Sequence, residues 1–267
     1  MAILDRFDLS GKTAIITGAG SNLGREMALA MAEAGADILG AGRRPEPLEE
    51  TGAMIRAKGR RYLARSTDVT DSSDVQALMD AAIAEFGRVD ILVNNAGGGS
   101  AGRGKTLPEH TDEDWYAGID ANLSSAFFCA RAIIPHMVEQ GGGRIINITS
   151  GWGFRGGRNR FMYPIAKAGM ISLTKCLAMS YARDGVRVSC IAPGAFPHEL
   201  GPETEARGGM QPAGRFGEMK DLGPLSVFLA SDASEYLSGE TILIDGGAIA
   251  AGVTPAGVVP TVVPTAS

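Results

Sequence analysis

The stretch Thr13-Ala-Ile-Ile-Thr-Gly18, continued by Ala19-Gly20-Ser21-Asn22-Leu23-Gly24, decides how this chain folds. Its first half is short, apolar and rich in β-branched residues, which suits a buried strand. Its second half is a glycine-rich turn. After the turn, Leu23, Met27, Ala30, Met31 and Ala34 recur at helical spacing. A strand, a glycine turn and a helix in that order are the opening of a βαβ unit.

Working outward, the same alternation continues to residue 247. Asp37–Gly42 reads as a second strand, Arg61–Thr70 holds a third, and Val89–Gly97 reads as a fourth. Gly143–Ser150, Val186–Gly194 and the segment from Glu240 to Gly247 complete about seven strands. Helical patterns separate them. One long helix is predicted from Thr111, its N-cap, with Asp114 three residues on in place of the usual Glu or Gln. Another runs from Tyr163. Strands and helices alternating at this spacing predict an α/β fold. It is a single-domain, doubly wound, mostly parallel sheet with helices on both faces. Residues 195–214 are rich in Gly, Pro and Glu and read as a substrate loop inside that domain. Residues 248–267 carry no charged side chain and read as a tail, either loosely ordered or an arm on a neighbouring subunit.

The chain has 267 residues, 45% hydrophobic and 21% charged, with a net charge of −5. That length supplies a full core without staples. The acidic balance and the lack of a basic stripe argue against nucleic acid and anionic membranes as partners. Cys129, Cys176 and Cys190 show no C-x-x-C or His pairing, so they read as reduced thiols and no metal site is expected. No signal-peptide pattern and no run of about 18 apolar residues appear, so the cytoplasm is the expected location.

The turn between the first strand and helix is where a dinucleotide pyrophosphate binds in a doubly wound fold. Glycines let the backbone approach the phosphates, and free N–H groups at the helix start favour the anion. Farther on, Ser150 ends the fifth strand, and Tyr163 and Lys167 follow four residues apart on one helix face. A cation near a phenol favours phenolate and is expected to draw the Tyr163 pKa downward. Such a tyrosine can trade a proton with a carbonyl or alcohol oxygen, and Ser150 can hydrogen-bond the same oxygen.

These residues together resemble the short-chain dehydrogenase/reductase family over about Asp8 to Gly247. Gly18 and Gly24 match its turn, with Ser21, Asn22 and Leu23 between them. Asn22 stands where the family has its middle glycine, and asparagine tolerates a left-handed backbone next best. Asp68–Val69, Asn94-Asn95-Ala96-Gly97, Asn122 and Pro193–Gly194 supply the remaining markers in order. The resemblance implies Asp68 at the adenine amino group with the Val69 backbone alongside, and Asn95, Ala96 and Gly97 along the adenosine ribose. It implies Asn122 holding a water that links Lys167 to solvent. Lys167 would bond the nicotinamide ribose beside Tyr163, with Pro193 and Gly194 against the ring. A threonine often follows Pro-Gly to hold the carboxamide; here His198 stands in that place, as a pocket residue or an exposed loop residue. Ser189 replaces a frequent asparagine and is assigned no role.

The second strand ends at Gly42, without the carboxylate that NAD enzymes of this fold commonly place there, and Arg43 and Arg44 follow. An arginine fork suits a 2′-phosphate, so NADP(H) is favoured over NAD(H). The implied activity is hydride transfer between nicotinamide and a ketone or secondary alcohol, in a homo-oligomer that is most naturally a tetramer. The alternative is a catalytically silent sensor on the same fold. Trp152 and Phe154 offer an apolar pocket wall. Arg155, Arg158 and Arg160 form either a solvated rim or a site for an acidic substrate. Three substrate groups stay open: 3-oxoacyl esters, sugars or polyols, and steroid or xenobiotic ketones.

Overall fold

Seven strands form one parallel sheet in the order β3-β2-β1-β4-β5-β6-β7. They are β1 (Thr13–Thr17), β2 (Asp37–Gly42), β3 (Tyr62–Ser66), β4 (Ile91–Asn94), β5 (Gly143–Ile148), β6 (Val186–Pro193) and β7 (Thr241–Ile244). The computed structural model describes residues 2–98, 102–199 and 201–252. Most of the tail called from residue 248 therefore lies outside the described residues.

The doubly wound reading holds in detail. Ala14, Ile16, Ile38, Val93, Ile146 and Ile191 point to one face. There they pack on α1 (Asn22–Glu33), α2 (Pro45–Ala57) and α8 (Leu222–Ala230). Ile15, Leu39, Leu92, Ile145 and Val188 point to the other. They meet α3 (Ser72–Phe86), α5 (Ser125–Glu139) and α6 (Met162–Tyr181). Neighbouring residues of β1 serve opposite cores because strand side chains alternate. The uninterrupted apolar run seen in the sequence is what a sheet covered on both faces requires. The order β3-β2-β1-β4 reverses direction between β1 and β4, and this switch opens a crevice at the carboxyl ends of the strands.

Two expectations need correction. The long helix from Thr111 is not continuous. It consists of α4 (Asp112–Ile119), a π-turn at Asp120–Ser124 and α5, with the Ser125 N–H bonding the Asp120 carbonyl five residues back. Such bulges cluster at functional sites, and this one contains Asn122. The predicted cap is present: Thr111 Oγ1 accepts from the Asp114 N–H at 3.2 Å, and the Asp114 carboxylate accepts from the Thr111 N–H at 3.2 Å. The second correction concerns residues 195–214, which contain a helix, α7 (Pro202–Gly209). Proline in its first turn fixes the entry. The glycines at its other end hid the helix from apolar periodicity.

Candidate active site

The glycine turn adopts the geometry that the sequence asks for. Gly18 has φ +71°, and Asn22 has φ +54°, so asparagine does occupy the left-handed conformation. A Cβ on Gly24 would collide with the Gly18 carbonyl oxygen, and one on Gly18 would come within 2.8 Å of Asn95 Nδ2. Helix and strand are thus packed backbone to backbone at this point. Asn95 locks the turn from behind: its Nδ2 donates to the Thr17 carbonyl at 2.9 Å. Thr17 Oγ1 accepts from the Asn95 and Ala96 N–H groups at 3.0 and 2.9 Å.

A cavity of about 1140 Å³ lies over the crevice. Drug-sized ligands fill about 300–1,000 Å³, so there is room for a longer ligand. Gly18, Ser21, Asn22, Leu23 and Gly24 line one end, with Arg43, Asp68 and Val69 beside them. Asn95, Ala96, Gly97 and Asn122 line the middle, and Ser150, Tyr163, Lys167, Pro193 and Gly194 the other end. The candidate catalytic and cofactor residues come together here, whereas Trp152, Phe154, Arg155, Arg158 and Arg160 are not among the residues that line this cavity. The glycine cradle, the open helix start and two cationic side chains at the far end fit an extended dinucleotide diphosphate. Gly194 also has no room for a side chain, since a Cβ would come within 2.7 Å of the Asp245 backbone.

Ser150 lies just beyond β5, with its Oγ accepting from the Trp152 N–H at 3.3 Å. Ser150 sits close enough to the Tyr163 phenol to act on it, favouring the ionised form. Lys167 is buried, donates from Nζ to the Ile148 carbonyl at 3.0 Å, and sits 5.6 Å from the Tyr163 ring centroid. Burial pushes the lysine down to about 8. The expected depression of Tyr163 is corrected: its pKa is raised, because burial outweighs the opposing effects of Ser150 and Arg160. Four-residue spacing put lysine and tyrosine on one helix face, and the ammonium lies against the tyrosine ring.

Asn122 is also more fully engaged than the sequence implies. Its Nδ2 donates to the Gly98 and Gly118 carbonyls at 2.7 and 3.0 Å, and its Oδ1 accepts from the Gly98 N–H at 3.0 Å. Both amide protons are spent on backbone, so this side chain clamps the loop after β4 to the π-turn. Asp68 Oδ1 accepts from the N–H and Oγ1 of Thr70. These bonds, ahead of a contribution from Arg43, hold its carboxyl below the usual range.

Several participants were not named as site residues from the sequence. Phe196 and Met219 line the substrate end along with His198. Thr149 Oγ1 donates to the Lys167 carbonyl at 2.6 Å. Behind the site, Asn94 donates to Asn147, which donates to Thr174, both at 2.9 Å. The threonine steps and the polar residue inside an apolar strand at Asn147 were the available clues. The tyrosine loop also differs from a plain rim: the Arg160 guanidinium lies 5.0 Å over the Trp152 ring.

Residues 12–207 match the family model described as short chain dehydrogenase. The chain is 40% identical to a 2-dehydro-3-deoxy-D-gluconate 5-dehydrogenase of Escherichia coli (strain K12), over 93% of this chain and 99% of that one. Among solved structures it is similar to a putative short-chain alcohol dehydrogenase from Sinorhizobium meliloti 1021. The TM-score is 0.86 at 37% identity, covering 92% of this chain and 99% of that one. A 7α-hydroxysteroid dehydrogenase complexed with NADH and 7-oxo glycochenodeoxycholic acid matches with a TM-score of 0.86 at 32% identity, covering 92% and 98%. With the strand order, the glycine turn and the Ser150–Tyr163–Lys167 cluster in one crevice, these likenesses place the chain in the short-chain dehydrogenase family.

Proposed function

We propose that this chain, an NAD(P)-dependent oxidoreductase by family, interconverts a ketone and a secondary alcohol with Tyr163 as the general acid/base. The observation that carries this reading is the placement of Ser150, Tyr163 and Lys167 at the end of the cavity opposite the glycine turn. Bound nicotinamide would supply or accept the hydride. The residues themselves handle the oxygen and the proton. Ser150 and Tyr163 would hydrogen-bond the substrate oxygen and hold the carbonyl carbon toward the end of the cavity that Pro193 and Gly194 line, where those residues would hold the nicotinamide. Tyr163 gives its proton to a forming alkoxide, or takes it from an alcohol. Its raised pKa suits proton donation in the reductive direction. Lys167 has donors beyond the one on Ile148 and is assigned to the ribose hydroxyls.

At the other end, Arg43 and Arg44 line the cavity beside Gly42, and no carboxylate stands on that residue. This favours NADP(H), with NAD(H) as the weaker ligand. The exposed Cys176 and the buried Cys129 and Cys190 are all free thiols, which agrees with a cytoplasmic location. Among the described residues, no helix is long and apolar enough to cross a membrane.

The test is a panel of ketones and secondary alcohols with NADPH, NADH and their oxidised forms, followed by the absorbance of reduced nicotinamide. Turnover of at least one pair is the expected result. Cofactor binding without turnover across the panel would favour the silent-sensor reading instead.

A further inference from the structure

We infer that Arg160, backed by Arg103, forms a subsite for a carboxylate on the substrate, one wall of which is the ring of Trp152. The inference deepens the proposed carbonyl–alcohol chemistry and relies on it only for where the substrate lies.

The turn before Tyr163 is built to hold this arginine. The Arg160 N–H donates to the Gly157 carbonyl at 3.2 Å, closing a tight turn through Asn159 at φ +53°. A Cβ on Gly157 would press to 2.6 Å from the Trp152 ring and 3.3 Å from Arg160 Cδ, so only glycine leaves space for the two side chains to stack. The segment carrying Arg103 docks on the same turn, through the Gly104 N–H and the Asn159 carbonyl at 3.2 Å.

The result is a guanidinium near the proton-transfer group, with the exposed Arg103 close enough to act on its charge. Burial first, then Arg103, push the Arg160 guanidinium below its ordinary pKa, while Tyr163 opposes them. Among the described residues no Asp or Glu forms an ion pair with Arg160 or Arg103, whereas Arg144, Arg187 and Arg215 each hold a carboxylate. A guanidinium whose face is covered by an indole keeps its N–H edge for a planar bidentate acceptor. Stacking alone would explain one arginine. It does not explain a second cation near it with no anion on either among the described residues. Arg160 and Tyr163 lie near enough to act on each other electrostatically, so the subsite adjoins the proton-transfer group from outside the dinucleotide cavity.

The experiment compares acids with their neutral twins: levulinate and 4-oxocyclohexanecarboxylate against the corresponding primary amides, with NADPH and NADH. Wild type should prefer the acids by about tenfold or more in kcat/KM. Arg160→Gln should raise KM for the acids about ten- to a hundredfold, the range for a lost charge-assisted bond, and leave the amides within about twofold. Arg160→Lys should restore part of the loss. A second readout is independent of turnover. In a Trp115→Phe background, cyclohexanecarboxylate should change Trp152 fluorescence saturably in the cofactor complex, and Arg160→Gln should abolish this. Equal use of acids and amides by wild type, or equal damage to both in Arg160→Gln, overturns the subsite and leaves the oxidoreductase reading intact. Arg160-dependent binding with no turnover of any pair sustains the subsite and removes the oxidoreductase reading. Absence of Arg160-dependent binding of the carboxylate overturns the subsite outright.

Discussion

The Lys167 ammonium lies 5.6 Å from the centre of the Tyr163 ring and spends a hydrogen bond on the Ile148 carbonyl. Ser150 lies beside the phenol and opposes the rise in its pKa. In the proposed mechanism, proton delivery and cofactor anchoring are thereby divided between two groups on one tyrosine.

From this division, Tyr163→Phe should keep fold and cofactor affinity, because packing and the lysine's ring contact survive. Turnover should fall at least about a hundredfold, the lower end for loss of a general acid. Steady-state kinetics with a cofactor titration on the same preparation check it. Near-normal turnover in the variant would remove Tyr163 from the mechanism.

Lys167 makes stability depend on pH. Above about 8 the native lysine is neutral, while the unfolded chain holds its proton up to the ordinary value of 10.5. The unfolded state binds more protons across that window, so stability rises with pH there. Below it the folded protein carries a buried charge at a cost of roughly 3 kcal/mol. Lys167→Met should therefore gain on wild type in thermal melts at pH 7 without cofactor, and the gain should shrink toward pH 10.5. A pH-independent difference between the two proteins would contradict this.

Cofactor preference should follow the end of β2. A Cβ at Gly42 meets only Leu48, at 3.7 Å, so aspartate fits there without strain. A charge-assisted contact to phosphate contributes about 1.5–3 kcal/mol, roughly ten- to a hundredfold in affinity. Gly42→Asp with Arg43→Ala should reverse the preference toward NAD(H). Fluorescence titrations with NADPH and NADH decide it, and equal affinities in wild type would show that Arg43 reads no phosphate.

The chain should be a homotetramer. Trp115, Tyr116, Phe127 and Met179 lie exposed on α4, α5 and α6, while Met170 of the same helix set is buried in the core. Apolar side chains on both the inner and outer faces of a helix call for a second partner surface. Light scattering should give the mass of four chains at micromolar concentration, and Phe127→Glu should lower it. A wild-type monomer would rule the assembly out.

The alternation of strands and helices, the helix faces and the glycine turn were legible because each rests on local periodicity or on a residue with a special backbone. Asn22 is the clearest case: its side chain permits the φ that a glycine would otherwise supply. The π-turn at Asp120–Ser124 was not legible, since it depends on Asn122 gripping Gly98, across 24 residues. Nor was α7, whose eight residues include two glycines and almost no apolar pattern. Spacing placed Tyr163 and Lys167 on one face correctly, yet spacing carries no information about depth. Burial then set the direction of both pKa values.

The bonds from Asn95 to Thr17 span 78 residues of sequence. A nascent chain that ends after α3 already owns the glycine turn, β2 and Arg43, but the turn has nothing behind it. The support behind the turn thus arrives only with β4, about a third of the way along the chain.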